Sequence, residues 1–254
     1  MDQDDMPQLQ DVPAALGLLS RLPVRVDEMR ATARAAQATW AYPVVGLVLA
    51  LIAGCVAQFT LWVGLPAPLV AGLTLAALII MTGAMHEDGL ADAADGLWGG
   101  WDAARRLEIM KDSHIGVYGV IAVTLGLGLR WQALTFVVEA DALWPTLIAT
   151  AVLSRAMMVP VMAMLPNARA TGLSHSVGRP SHQTAWIAVA IAAGLTLILW
   201  QWAALWLFIL AALAMLACCA VAKAKIGGQT GDILGATQQV TEITLLTGLA
   251  TVLP

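Results

Sequence analysis

Asp88, Asp92 and Asp95 stand four and three residues apart within HEDGLADAADGLWGG, residues 86–100. On a helix, at about 100° per residue, that spacing gathers three carboxylates into an arc of about 60°. Like charges on one face repel, and a low dielectric sharpens the repulsion. A hard divalent cation such as Mg²⁺ removes the penalty, because it binds carboxylate oxygens and leaves positions open for substrate phosphate. Glu87 lies beside the three, and Asp232 follows a glycine-rich turn far along the chain. Glu87, Asp88, Asp92, Asp95 and Asp232 are therefore the expected metal ligands. Gly89, Gly96, Gly99 and Gly100 would let a phosphate come close to the backbone. The plain alternative is a solvated acidic loop at a membrane edge.

Two further stretches add cations. RRLEIMKDSHIGVYG, residues 105–119, offers Arg105, Arg106, Lys111 and His114 to anionic oxygens. It also offers Asp112, which joins Asp95 as a candidate to take a proton from a nucleophile. KAKIGGQTGDILGA, residues 223–236, places Lys223, Lys225, Gly227, Gly228 and Thr230 before Asp232, resembling a phosphate-cradling turn that opens a helix. The alternative for the cations is the ordinary positive charge of cytoplasmic loops. His86 and His114 flank the acidic stretch as donors behind the ligands, as a proton acceptor, or as plain interfacial residues. His175 and His182 lie in PNARATGLSHSVGRPSH, a polar loop that either covers the site or merely connects two spans.

The elements that carry these residues belong in lipid. The 254 residues are 59% hydrophobic and 12% charged, where a soluble domain is nearer a quarter charged. Apolar runs of spanning length, roughly 20 residues, fall at about 42–64, 67–85, 115–137, 142–164, 184–200, 202–222 and 233–253. The last is interrupted by Thr237, Gln238, Gln239, Thr241 and Glu242. The expected fold is all-α and polytopic, with about seven transmembrane helices. It forms one membrane-embedded catalytic domain over 1–254, in which 1–41 is a cytoplasmic or interfacial segment of short helices. The start, MDQDDMPQLQDVP, is acidic and unlike a cleavable signal peptide.

Eleven of the thirteen basic residues fall in four segments that alternate with the uncharged turns, so one side collects them all. That side is expected to be cytoplasmic. Arg130 and Arg155 lie inside apolar runs, Arg130 expected to snorkel to the far interface and Arg155 to be buried and paired. Cys55, Cys218 and Cys219 sit in apolar runs with no disulfide or zinc spacing. The net charge of −4 is local: residues 86–112 hold seven acidic and three basic residues, and the rest of the chain balances.

HEDGLADAADGL, RRLEIMKDSHIGVYGV and GGQTGDILGA, with SRLPV and YPVVG near the N-terminus, resemble the signatures of the adenosylcobinamide-GDP ribazoletransferase (cobalamin 5′-phosphate synthase) family. The resemblance spans roughly residues 16–242. It implies Mg²⁺-dependent transfer of phosphocobinamide from adenosylcobinamide-GDP to α-ribazole or α-ribazole 5′-phosphate, with release of GMP. It also implies a multi-pass protein of a prokaryotic cytoplasmic (inner) membrane, with its active site facing the cytoplasm. The lipid bilayer is an expected partner and nucleic acid is not; homo-oligomer formation stays open. Asp92 to Gly96 also resembles the opening of the CDP-alcohol phosphotransferase motif, although Ala104-Arg105 comes later than that motif expects. A lipid-directed phosphotransferase of that type and a divalent-cation transporter are the competing readings.

Overall fold

The computed structural model describes residues 6–253; the acidic residues of the first five positions, and Pro254, lie outside them. The chain opens with two short helices, α1 (Asp11–Leu19) and α2 (Glu28–Ala33), and a 3₁₀ turn at Gln37–Ala41. Asp11 ties this segment together. Its carboxylate pairs with Arg34 at 3.0 Å and accepts the Trp40 indole N–H at 2.9 Å. Burial works against its charge, but Arg34, Trp40 and the Gln8 N–H outweigh it and hold the carboxyl below its usual range.

The bundle follows: α3 (Tyr42–Trp62), α4 (Ala67–Thr82), α5 (Met85–Gly99), α6 (Ala103–Ile109), α7 (Val117–Glu139), α8 (Leu143–Ala156), α9 (Met158–Met164), α10 (Leu173–Val177), α11 (His182–Trp200), α12 (Ala203–Ile226) and α13 (Gly231–Ala250). Strands are absent among the described residues apart from an isolated bridge between Asn167 and Gln229. Five segments are long and apolar enough to cross a membrane, and the bent α4–α5 pair raises the number to six. The seventh expected span, α13, has the length, at 20 residues, but not the apolar composition. Its Gln238, Gln239, Thr241 and Glu242 are all buried, so its polarity faces protein rather than lipid. The continuous α8–α9 segment forms the centre, 83% buried over its apolar window, whereas α11 and α12 are 28% buried and face outward.

The acidic stretch is helical, as its spacing requires, but it does not prolong α4. Gly83 at φ 63° and Ala84 at φ 57° break the chain, and α5 leaves at 85° to α4. It then runs back alongside α7 and α13, from Glu87 beside Arg130 and Gln239 to Asp95 at one end of the bundle. Asp95 reaches the start of α7, Leu97 meets the last turn of α12, and Gly89 crosses the first turn of α13. At that crossing a Cβ on Gly89 would meet the Asp232 carbonyl and the Gly235 Cα, each at 3.1 Å. Only paired glycines let two helices touch backbone to backbone. The basic segments gather at the same end: Arg21 follows α1 beside Met81, Arg106 bonds the end of α12, and Arg169 meets Asp232.

Beneath α5 lies a buried ion-pair network. Arg130 does not snorkel; it is 2% exposed and pairs with Glu87 and Glu242, each at 2.7 Å. Arg155, also 2% exposed, stands 3.9 Å from Glu242. Gln239 bonds both Arg130 and Glu87. Charges cannot be left alone in such surroundings, and here two cations face two anions. The network locks α5 onto α7, α8 and α13.

Candidate active site

Asp88 and Asp92 project from α5 towards Asp232, which sits in the first turn of α13. Asp92 is half-buried and lies near the charges of Asp88, Asp232 and Asp95. The cluster therefore holds negative charge that its own protein partners do not neutralise. Thr230 caps α13 through the Ile233 N–H at 3.3 Å. This leaves the start of α13, where the helix dipole favours anions, at the same place.

Arg169 completes the group. The Gln229 N–H donates to the Pro166 carbonyl at 2.8 Å, and the Ala168 N–H donates to the Gln229 carbonyl at 2.9 Å. The polar loop is thus stitched to the glycine turn, bringing Arg169 to 3.0 Å from Asp232. The Arg169 Nε is buried without a protein partner. Gly228 permits the stitching, since a Cβ there would lie 2.3 Å from the Pro166 carbonyl, while Gly227, at φ 73°, ends α12. Both glycines shape the turn. The glycines of α5 are likewise packing residues: a Cβ on Gly96 would strike Met110, and one on Gly100 would strike Arg106.

Two cavities meet at Asp88. One, of about 170 Å³, extends from Asp88 and Asp232 inward past His86 to Leu19, Tyr42 and Met162. The other, of about 280 Å³, opens between Asp88 and Asp92 and the loop carrying Lys111, Asp112 and Ser113. A third space, an apolar groove of about 580 Å³ behind α5, is lined by Leu90, Trp98, Tyr118 and Val240 and has no carboxylate in its wall.

Several residues grouped by spacing part company in space. Asp95 shares the arc of Asp88 and Asp92, yet its two oxygens accept the Gly116 and Gly119 N–H groups at 2.7 and 2.9 Å. It caps α7, with one of these hydrogen bonds on each oxygen. Glu87 is turned inward to Arg130. Arg105 pairs outward with Glu108 at 2.8 Å. Arg106 spends its guanidinium on the carbonyls of Gly100, Trp101 and Lys225. Lys225 donates to the Leu97 carbonyl at 2.7 Å and lies 4.4 Å from the Trp98 ring centre. Both cations clamp α5 and α6 to α12. Lys223 is exposed on the last turns of α12.

Lys111 and Asp112 remain on the rim of the second cavity. His114 lies 2.6 Å from Asp112; this hydrogen bond draws the Asp112 carboxyl down and the His114 imidazole up from their usual values. Arg169, which spacing arguments left among the ordinary loop charges, is the added member of the site. Its signal in the sequence was only its place in the polar loop.

The oxygen donors of Asp88, Asp92 and Asp232, with their excess charge, suit a hard divalent cation. Among the described residues, no group of three or more His, Cys, Asp or Glu side chains stands close enough together to hold a metal ion. The arrangement offers acidic oxygens, a helix start, a guanidinium and an ammonium around two adjoining spaces. That is equipment for handling phosphate esters.

Comparison with known proteins agrees. A family model described as cobalamin-5-phosphate synthase matches residues 11–250. An adenosylcobinamide-GDP ribazoletransferase of Bradyrhizobium diazoefficiens is 44% identical over 94% of this chain and 92% of its own. Proteins of the same name from Mesorhizobium japonicum and Sinorhizobium medicae are 41% and 40% identical, each over 94% of this chain and over 92% and 95% of their own. No solved structure matches. With the family model spanning nearly the whole chain and the relatives this similar, the chain belongs to the cobalamin-5-phosphate synthase family.

Proposed function

We propose that this protein is an adenosylcobinamide-GDP ribazoletransferase that joins phosphocobinamide to α-ribazole or its 5′-phosphate and releases GMP. A ribose hydroxyl oxygen forms a bond to the phosphorus that carries cobinamide. The P–O bond to GMP breaks, GMP leaves as the anion, and the hydroxyl proton passes to a carboxylate. One observation carries this reading: Asp88, Asp92 and Asp232 converge with Arg169 and the start of α13 where two cavities meet.

Asp88, Asp92 and Asp232 would hold Mg²⁺, which when bound neutralises a diphosphate and its departing oxygen. Arg169 and Lys111 would hold the diphosphate oxygens, and the N–H groups opening α13 would orient them. Asp112, kept ionised by His114, stands on the rim of the second cavity within the same opening. The basic end of the bundle would face the cytoplasm of a prokaryotic inner membrane, where nucleotide substrates are dissolved. A cation transporter would need unpaired carboxylates deep in the bundle. The deep ones, Glu87 and Glu242, are instead matched by Arg130 and Arg155.

The test is GMP release by the purified full-length protein in detergent. It should require adenosylcobinamide-GDP, α-ribazole and Mg²⁺ together. No GMP with all three present, or cation flux in proteoliposomes without nucleotide, would overturn the proposal.

A further inference from the structure

His86 is 1% exposed, its Nε2 has no hydrogen-bond partner, and its ring lies on the wall of the inner cavity. Leaving a buried polar atom unmatched costs about 1–3 kcal/mol. Such an atom at a cavity wall is suited to meet a ligand. The cavity is graded. One side is apolar, built by Leu19 of α1, Tyr42 of α3 and Met158 and Met162 of α9, whereas Asp88, Arg169 and Asp232, with Asn167, Ser174, His175 and Gln229, supply polar groups. Methionine walls adapt to flat apolar groups. At about 170 Å³ the space holds on the order of ten water-sized probes. A bicyclic base fits that space; a corrin ring does not.

We infer that this cavity is the acceptor subsite and takes an α-ribonucleoside base first. The apolar bicyclic base rests against Leu19, Tyr42 and Met162, and His86 Nε2 donates to the ring nitrogen that carries no sugar. The ribose hydroxyls then lie at the mouth, beside Asp88 and Asp232, and the donor's diphosphate occupies the second cavity across Asp88. His86 is a positioning residue here. The assignment rests on the proposed reaction and adds to it which substrate lies on which side of Asp88. Guanine is the competing occupant, because Asn167, Ser174, His175 and Gln229 also line the cavity and offer partners to its polar edges; protection by GMP in the cysteine measurement would select it.

Two measurements on the full chain test this. In the first, kinetics of GMP release are taken for His86→Ala and Met162→Trp, varying each substrate in turn. The KM for α-ribazole should rise at least about tenfold in both variants, the loss of one good hydrogen bond or of the space itself. The KM for adenosylcobinamide-GDP should move less than about twofold. In the second, Thr171→Cys, at an exposed position on the cavity lining, is placed in a cysteine-free chain. α-Ribazole alone should slow its modification by a thiol reagent, and GMP should not.

An unchanged KM for α-ribazole, a donor KM that rises equally, or protection by GMP in place of α-ribazole would each overturn the assignment. The protection measurement needs neither His86→Ala nor Met162→Trp to fold. If wild-type protein releases no GMP at all, the proposed reaction fails; if it does while these outcomes go the wrong way, only the subsite fails.

Discussion

Replacing Arg130 by Met tests whether the buried network holds the acidic helix in place. Arg130 faces Glu87 and Glu242 at 2.7 Å each, and all three are buried. Arg130→Met changes a balanced pair of cations and anions into one cation facing two anions. Breaking one side of such a network costs about 3–5 kcal/mol. At about 2–4 °C per kcal/mol for a chain of this size, the melting temperature should fall by about 6–20 °C. The two carboxylates are not left equal. Glu242 keeps Arg155 at 3.9 Å and a bond from Gln238 at 2.6 Å. Glu87 keeps only the Gln239 amide on Oε1, and its Oε2 is already without a partner. Adding Glu87→Gln to Arg130→Met should therefore restore more stability than adding Glu242→Gln. The assay is thermal unfolding in detergent, followed by GMP release at a temperature where every variant is folded. A fall of less than about 2 °C in Arg130→Met, or rescue no better from Glu87→Gln than from Glu242→Gln, would refute the reasoning.

Four other outcomes are expected. Asp92→Asn should lower GMP release at least about 100-fold, the scale of ~3 kcal/mol of transition-state stabilisation, with the melting temperature nearly unchanged. Asp95→Ala should instead cost about 1–2 kcal/mol of stability through the lost α7 cap, seen as a lower melting temperature, and Asp95→Asn should recover much of it; thermal unfolding of both variants separates the roles. Asp232→Asn should damage the same step as Asp92→Asn, so the double variant should be scarcely worse than the poorer single one across a Mg²⁺ titration, whereas losses that multiply would separate α5 from α13. Single cysteines at Ala140 and Gln201 in a cysteine-free chain should react with an impermeant reagent from outside intact cells, and those at Ala103 and Ala170 should not; labelling at Ala103 would reverse the orientation.

The helix carrying Asp88 and Asp92 was legible because charge periodicity and a break after an apolar run are local properties. What lay beyond the sequence was the partner of each side chain. Asp92 and Asp95 differ little in spacing, yet one meets other carboxylates and the other meets the N–H groups of Gly116 and Gly119, 21 and 24 residues on. Arg106 and Lys225 read as phosphate ligands because a cation's type does not reveal that backbone carbonyls will claim it. Arg169 was indistinguishable from any loop arginine until the loop was stitched onto Gln229. Arg130, isolated in an apolar run, was sent outward because its two acidic partners come from helices distant in the chain.

The contact between Gly89 and Gly235 has a mechanical consequence. Spanning helices change their tilt to match the hydrocarbon thickness around them. Here α5 and α13 meet backbone on backbone at Gly89 and Gly235, and Glu87, Arg130 and Gln239 clamp them together close by, so the two helices tilt as one body and Asp88 keeps its place beside Asp232. Reaction rate should therefore vary little across vesicles of different acyl length. A larger residue at position 89 or 235 would hold the two backbones apart and make the enzyme sensitive to its lipid.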